Sequence, residues 1–467
     1  MTYPRNTSIG LLRVAYVLWA LLLPMHVCCQ EDSLGHEPTL PIIRLHYTAL
    51  SKDTFSVGSI LFTDSIDTVS LACKVRHRGA AAMRFAKKSY AIKLKDEFGQ
   101  KIDTTFLGMR SDNYWILDAM AVDKARMRTR VAMDLWLDFS AKPYYIDAKP
   151  KVCNGSRGRF VEVYVNDSYE GIYCLMERID RKQLKLKKTK DNTINGVLYK
   201  SSSWRGSFFG ELTPYDNNSD TWMRYEYEYP DPEDSLITWA PLYDAMLFAD
   251  TASSEVFAEQ AADKYDIPVF MDYFLFTTLL SARDNCGKNL YLSYYDINQA
   301  SKLLITPWDM DHSFGRMYNS DEEPANTACW KTRKLFQRFE DDLPEYHTQL
   351  LDRYASLRRS SWAADSLKQR FTDYFQLLEQ TNAAQREVER WNGVDNIDLD
   401  FASEEAYIYA WLDNRLSYTD SLFQYSHITT MYDSPCQSTA TRKIIRNGQL
   451  LILRDNKTYT LQGQEVR

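Results

Sequence analysis

The sequence predicts an α+β protein with a β-rich N-terminal lobe, a helical C-terminal lobe and a small β appendage at its end. Three observations predict it. From about residue 40 to 180, short runs alternate apolar and polar residues, the period of half-buried strands. From 335 to 425, Leu, Tyr and Trp recur at three- and four-residue spacing, the period of a helix face. From Lys443 to Val466, short strand-like runs return, divided by Asn447-Gly448 and Asp455-Asn456 turns.

Taken in order, Leu40–Tyr47, Ser59–Thr63 and Val69–Arg78 read as strands, and a turn at Gly79 leads to another at Ala91–Leu94. Trp115–Phe139 carries apolar residues at helical spacing and reads as one helix. Phe160–Val165 and Gly171–Met176 read as a hairpin turned by Asn166-Asp167, residue types that accept positive φ. The stretch 200–260 is rich in Tyr, Asp and Pro and reads as insertions over a site, with exposed aromatic rings. An apolar helix over 268–283 precedes a two-strand hairpin, Leu290–Tyr295 with Lys302–Thr306.

The totals narrow the function classes. With 467 residues, 45% apolar and 13% aromatic, the chain can bury a large core. A net charge of −7 argues against a nucleic-acid partner, because phosphate contacts need a basic surface. Beyond the N-terminus no apolar run is long enough for an integral membrane domain. Arg5 and Arg13 followed by the apolar run Val14–Val27 read as a signal peptide over 1–30, so the protein is expected to be exported: periplasmic, at the outer-membrane surface, or secreted. Cys28 offers a point for lipid attachment, although Met25-His26-Val27 matches poorly the small residues that precede such a cysteine. Six cysteines follow position 30, and their wide spacing dictates no pairing. The expected organisation is a domain over 40–425, β-rich over about 40–180 and helical over about 235–425, then a β tail over 440–467.

The chemistry lies in two acidic segments. Asp284 is followed five residues later by Asn289, and Asp309 and Asp311 follow the hairpin. This is the order of parts in a protein-kinase centre, where the first Asp accepts the hydroxyl proton and the Asn and later Asp hold metal. Hard oxygen ligands suit Mg²⁺ or Mn²⁺, and such ions neutralise charge that builds on phosphate oxygens. Either motif alone is common as a cap or turn; it is their order that points to phosphoryl transfer. The β-rich part supplies Lys93 as the candidate phosphate lysine, with Lys87 and Lys88 as alternatives, and Arg78 beside Gly79 as a phosphate-facing guanidinium. The helix read over 115–139 offers Asp118, Asp123, Asp134 and Asp138 but no Glu to pair with that lysine. On that helix Asp123 and Arg128, five apart, are not expected to face each other. Met176 and Glu177 follow the hairpin where a linker between lobes would run and are candidate adenine contacts. His312 reads as a hydrogen-bonded packing residue, and no Gly-rich phosphate loop occurs.

Further residues carry a family resemblance. Arg78-Gly79, Lys87-Lys88-Ser89-Tyr90-x-Ile92-Lys93-Leu94, Phe160–Asn166 with Tyr169-x-Gly171-Ile172-Tyr173 and Glu177, Asp284-Asn285 with Lys288–Leu292, and Pro307–Asp311 with Phe314-Gly315 resemble the spore-coat protein H-like (CotH) kinase family, in an exported Bacteroidetes-type member. The resemblance implies an atypical protein-kinase-like fold that binds ATP with Mg²⁺ or Mn²⁺ and phosphorylates Ser, or Thr, of a secreted or surface protein. By position it makes Asp284 the catalytic acid, Asn289 a metal ligand and Asp309, with Asp311, the metal-binding acids. One departure stands out: Ala80-Ala81-Ala82 replaces the polar residues that usually follow Arg-Gly, which would weaken nucleotide binding. The 445–466 tail is similar to sorting segments of exported Bacteroidetes proteins. An inactive kinase-like module that binds surfaces or glycans through the 200–240 aromatics is the alternative. A metal-dependent hydrolase is disfavoured by the lack of a His-rich ligand set.

Overall fold

The computed structural model describes residues 39–426, except 204–208, 210, 211, 235 and 329–333, and the backbone of short strands between 442 and 466. The expected signal peptide and Cys28 lie outside the described residues.

The fold is α+β, but its β-rich part is a closed barrel. The strands are β1 (Ile42–Tyr47), β2 (Ser56–Thr63), β3 (Thr68–Arg78), β4 (Ser89–Lys95), β5 (Tyr114–Asp118), β6 (Gly158–Val165) and β7 (Ser168–Met176). They run in the order β1-β2-β3-β4-β5-β7-β6, and β6 closes the ring by pairing in parallel with β1. Period-two alternation fills the interior: Ile43, Leu45, Ile60, Phe62, Val75, Ile92, Leu94, Trp115, Leu117, Val161, Val163, Tyr173 and Leu175 pack as one cluster. The β6–β7 hairpin turns at Asn166 and Asp167, with φ 46° and 67°.

The helix expected over 115–139 is corrected to a strand, a loop and a shorter helix, α1 (Arg128–Phe139). Tyr114–Asp118 is rich in aromatic and branched residues and pairs with both β4 and β7; those ladders outweigh the helical spacing. Asp123 therefore lies in the loop and not on a helix. Its Oδ2 accepts from the backbone N–H of Met127 and Arg128 at 2.8 and 2.7 Å, and its Oδ1 pairs with Arg128 Nη1 at 2.6 Å. The two residues thus face each other, because the chain bends between them.

A second sheet has the order β12-β11-β8-β10-β9, from β8 (Val197–Ser201), β9 (Thr221–Trp222), β10 (Tyr225–Tyr229), β11 (Leu290–Tyr294) and β12 (Leu304–Pro307). The helices that follow are α2 (Ala240–Thr251), α3 (Ser254–Lys264), α4 (Ile267–Leu280), α5 (Lys334–Asp342), α6 (Tyr346–Arg358), α7 (Ala364–Gln380), α8 (Ala383–Trp391) and α9 (Phe401–Leu422), of which α4 packs on β12 and α8 on β7 of the barrel. Several of the 200–260 aromatics are core and not an exposed binding face. Trp222, Tyr225, Tyr227 and Trp239 are buried, and the Trp239 ring stacks on Tyr199 with centroids 5.3 Å apart. The tail forms a four-stranded antiparallel sheet, β13 (Arg442–Arg446), β14 (Gln449–Arg454), β15 (Lys457–Tyr459) and β16 (Glu465–Val466).

Among the described residues no helix is long and apolar enough to cross a membrane. Cys73, Cys153 and Cys174 are free thiols. At the start of α4, buried Asp266 accepts from Tyr144 N–H at 2.8 Å. Burial pushes its carboxyl up to about 6 against the pull of that bond. A carboxyl raised in the folded state carries a cost that appears as pH rises through the window from its unfolded value to 6. Asp266→Asn keeps an acceptor and removes the charge. It is expected to stabilise the fold by on the order of 2 kcal/mol at pH 8, with the gain fading below about pH 4. Denaturant midpoints at both pH values check this; an equal effect at both refutes it.

Candidate active site

The outer face of the barrel forms one wall of a cleft. Arg78 pairs with Ser89 across β3 and β4, and Ser89 Oγ donates to Asp118 Oδ1 at 3.1 Å, so the three side chains share one row. The next row along holds Arg76, Ala91 and Ile116, and the third holds Lys74, Lys93 and Tyr114. At about 3.3 Å per residue, successive rows are some 7 Å apart. Gly79, at φ 100°, makes the sharp turn after Arg78, and a Cβ there would meet that of Ala82 at 2.9 Å.

The opposite wall comes from the acidic segments. The register Leu290↔Pro307 between β11 and β12 brings the residue before one strand beside those after the other. Trp308 N–H donates to Asn289 O at 2.9 Å, and Asn289 Nδ2 donates to Asp309 O at 3.3 Å. Asn285 staples the two turns, giving Nδ2 bonds of 2.8 Å to both Asn289 O and Trp308 O. Asn289 and Asp309 both take left-handed backbone, φ 56° and 53°, a conformation these residue types tolerate well. A hairpin with a turn at each mouth thus delivers the acids to one place.

The walls enclose a cavity of about 290 Å³, lined by Arg78, Asp118, Asp284, Asn289, Asp309 and Asp311 among others. An adjoining chamber of about 360 Å³ shares Arg78, Lys200, Glu226 and Trp308 with it and adds Ile116, Tyr114, Arg178 and Tyr291. The carboxylates differ in charge state. Burial alone would raise Asp284, but His312 and the Lys288 ammonium, 2.8 Å from its Oδ2, hold it below the usual range. Burial, then repulsion from Asp118 and Asp284, pushes Asp309 up to about 6 against Arg78 and Lys288. Asp311 is also driven well above the usual carboxyl range, by burial and by Asp309. His312 lies between Asp284 and Glu323; burial would depress it, yet the two carboxylates hold it up to about 9. One carboxylate is thus held as an anion, while its neighbours are pushed towards the protonated form because their ionisation would add negative charge in excess of what the walls compensate.

That excess is what a divalent cation would neutralise. Among the described residues no three His, Cys, Asp or Glu side chains gather at metal-ligand spacing. A small hard cation needs fewer protein ligands, because it keeps water and takes phosphate oxygens alongside one or two carboxylates. Asn289, Asp309 and Asp311 fit that demand.

Of the residues expected from sequence, Asp284, Asn289, Asp309, Asp311 and Arg78 share the cleft. The other three do not line it. Lys93 stands two rows from Ser89, its ammonium over the rings of Phe55 and Tyr114 at 4.5 and 5.3 Å. Met176 is buried in the core at the end of β7. The Glu177 side chain binds Arg157 Nη2 at 2.7 Å and Arg110 N–H at 2.8 Å, while its own N–H donates to Arg157 O, so side chain and N–H are both used inside the fold. The alternative Lys87 is buried and pairs with Glu387 of α8 at 2.6 Å, outside the lining of the cleft. Lys88 binds the carbonyls of Met83 and Phe85. Sequence reasoning missed Asp118, Lys200 and Arg178 as cleft residues and passed over Lys288, whose i+4 spacing from Asp284 was a usable signal.

The family model described as CotH kinase protein matches residues 75–419, most of the chain and both walls of the cleft. The chain belongs to the CotH kinase protein family. It is also similar to the inner spore coat protein H of Bacillus subtilis (strain 168), 22% identical over 277 residues, which is 59% of this chain and 68% of that protein.

Proposed function

We propose that this CotH-family chain is an exported kinase that transfers the γ-phosphoryl group of ATP to Ser or Thr hydroxyls of a secreted or surface protein. One observation carries the reading: Asp284 and the Asn289–Asp309–Asp311 group, separated in sequence, line one cavity with Arg78 facing them from the barrel. In this reading the barrel and the helical region stand in for the two lobes of a kinase. Asp284, held anionic, orients the acceptor hydroxyl and takes its proton as the new P–O bond forms and the bond to the departing ADP breaks. Arg78 and Lys200 sit where two chambers meet and suit the phosphate chain. A Mg²⁺ or Mn²⁺ ion held by Asn289, Asp309 and Asp311 would neutralise charge on the phosphate oxygens. The adjoining chamber, with Tyr114, Ile116 and Tyr291 in its lining, suits the nucleoside. The expected leader over 1–30 supports export.

The methyl groups of Ala80–Ala82 line the cavity and offer phosphate no side-chain donor, which favours the weaker alternative of an inactive kinase-like module that binds surfaces. Thermal melting decides the first step. ATP with Mg²⁺ or Mn²⁺ at a hundred times Kd should stabilise the native protein by about 2.7 kcal/mol, and Asp309→Ala should abolish that gain. An equal rise in Tm for the variant and the parent refutes the assignment of Asp309. Loss of any rise in the parent refutes nucleotide binding itself.

A further inference from the structure

Asp284 is gripped from two sides. Its Oδ2 lies 2.8 Å from Lys288 Nζ, and its Oδ1 faces His312 Nδ1 at 3.7 Å. The far nitrogen of His312, Nε2, faces Glu323 Oε2 at 3.4 Å. Neither His312 nor Glu323 is among the residues that line the cleft. Glu323 is 2% exposed, and neither of its carboxylate oxygens has a hydrogen-bond partner; besides His312, Arg283 Nη1 stands 3.5 Å from Oε1. A buried carboxylate whose oxygens make no hydrogen bond and meet only the longer contacts to His312 and Arg283 is costly to hold, by several kcal/mol in ordinary proteins. Its backbone is nonetheless firmly placed: its N–H donates to Gly315 O at 2.8 Å, and the Trp411 indole of α9 donates to its carbonyl at 2.9 Å. The fold therefore holds a costly charge at a fixed point behind a histidine that in turn faces the proton acceptor. A base oriented by an imidazole that is itself oriented by a carboxylate is a recurring catalytic arrangement.

We propose that Glu323 is a positioning residue for phosphoryl transfer, acting through His312 to hold Asp284 in the orientation that receives the acceptor hydroxyl. This rests on the function proposed above. Glu323 touches neither substrate nor nucleotide, so its loss should appear in turnover and not in nucleotide binding. Full-length E323Q is expected to lower kcat about ten- to hundredfold, with the KM for ATP and the Tm rise caused by Mg²⁺ and ATP unchanged. In a D284N background, E323Q should cause no further loss, since the group it positions is already disabled. Wild-type kcat in E323Q overturns the proposal. So does a loss of the nucleotide-dependent Tm rise, or a full further loss in the D284N background, because either marks a general structural role. Should E323Q fail to fold, E323D, one methylene shorter, is expected to give a smaller loss confined to kcat, and a wild-type kcat there overturns the proposal equally. If D284N itself transfers phosphate at the wild-type rate, the proposed role of Asp284 fails first; a normal E323Q beside a dead D284N fails this inference alone.

Discussion

Asp284→Asn is expected to slow phosphoryl transfer about a thousandfold, within the range assigned to general acid–base groups, while leaving nucleotide binding intact. The substitution is nearly isosteric and removes a carboxylate that Lys288 and His312 hold in its charged form. Lys288 and His312 remain in place around it, so the turn should hold. The change also removes a repelling charge from Asp309 and Asp311, both of which Asp284 pushes upward. Metal-dependent binding of ATP should therefore persist or tighten slightly, and the Tm rise with Mg²⁺ and ATP measures it. Initial rates of labelled phosphate incorporation into a Ser-containing acceptor measure the chemistry. The pair of results is diagnostic: a slow variant that still binds places Asp284 on the transfer step. A variant that transfers normally removes it from the mechanism.

What the sequence disclosed and what it hid follow from the range of the interactions involved. Asp284, Asn289, Asp309 and Asp311 were legible because each pair sits within a few residues, and the hairpin between them announces itself by alternation and turn chemistry. The β6–β7 hairpin was legible for the same reason. The closed barrel was not, since its last seam pairs Ile42 with Glu162, residues no local pattern links. Lys93 shows how parity can be right and distance wrong. It does point out of the barrel on the same face as Ser89 and Ala91, but its ammonium lies over the rings of Phe55 and Tyr114, and of its row only Tyr114 lines the adjoining chamber. Asp118 was noticed but placed on a helix, because Trp115–Leu117 satisfies helical and strand periods alike; only the partners β4 and β7 decide between them. The Trp and Tyr residues of 200–240 misled in the other direction. Polar neighbours made them look exposed, whereas a sheet edge and α2 bury them. Glu323 had no local signal at all, since its importance comes from His312 folding back towards it.

Arg128→Met is expected to destabilise the protein by about 3–5 kcal/mol, the scale found when one member of a buried ionic network is removed. Arg128 is fully buried at the first turn of α1, and its guanidinium is divided among distant elements. It pairs with Asp123 Oδ1 at 2.6 Å and with Glu404 Oε1 of α9 at 2.6 Å, and its Nε donates to Ser313 O at 3.1 Å. Removing it leaves Asp123 charged and buried; Glu404 keeps Arg316, 2.5 Å from its other oxygen, so the damage falls mainly on the 119–127 loop. Arg128→Lys should recover little, because a point charge cannot reach three acceptors set out for a planar fork. Denaturant midpoints at constant m-value give the number, and a loss under about 1 kcal/mol would show that solvent or rearrangement replaces the network. The same substitution has a second readout. Ser313 follows Asp311 by two residues, so the bond from Arg128 ties the metal-binding turn to the start of α1, and Met120–Asp123 of the loop line the cleft. A folded Arg128→Met protein should accordingly show a raised KM for ATP at fixed Mg²⁺, whereas a network that served stability alone would leave KM where it was.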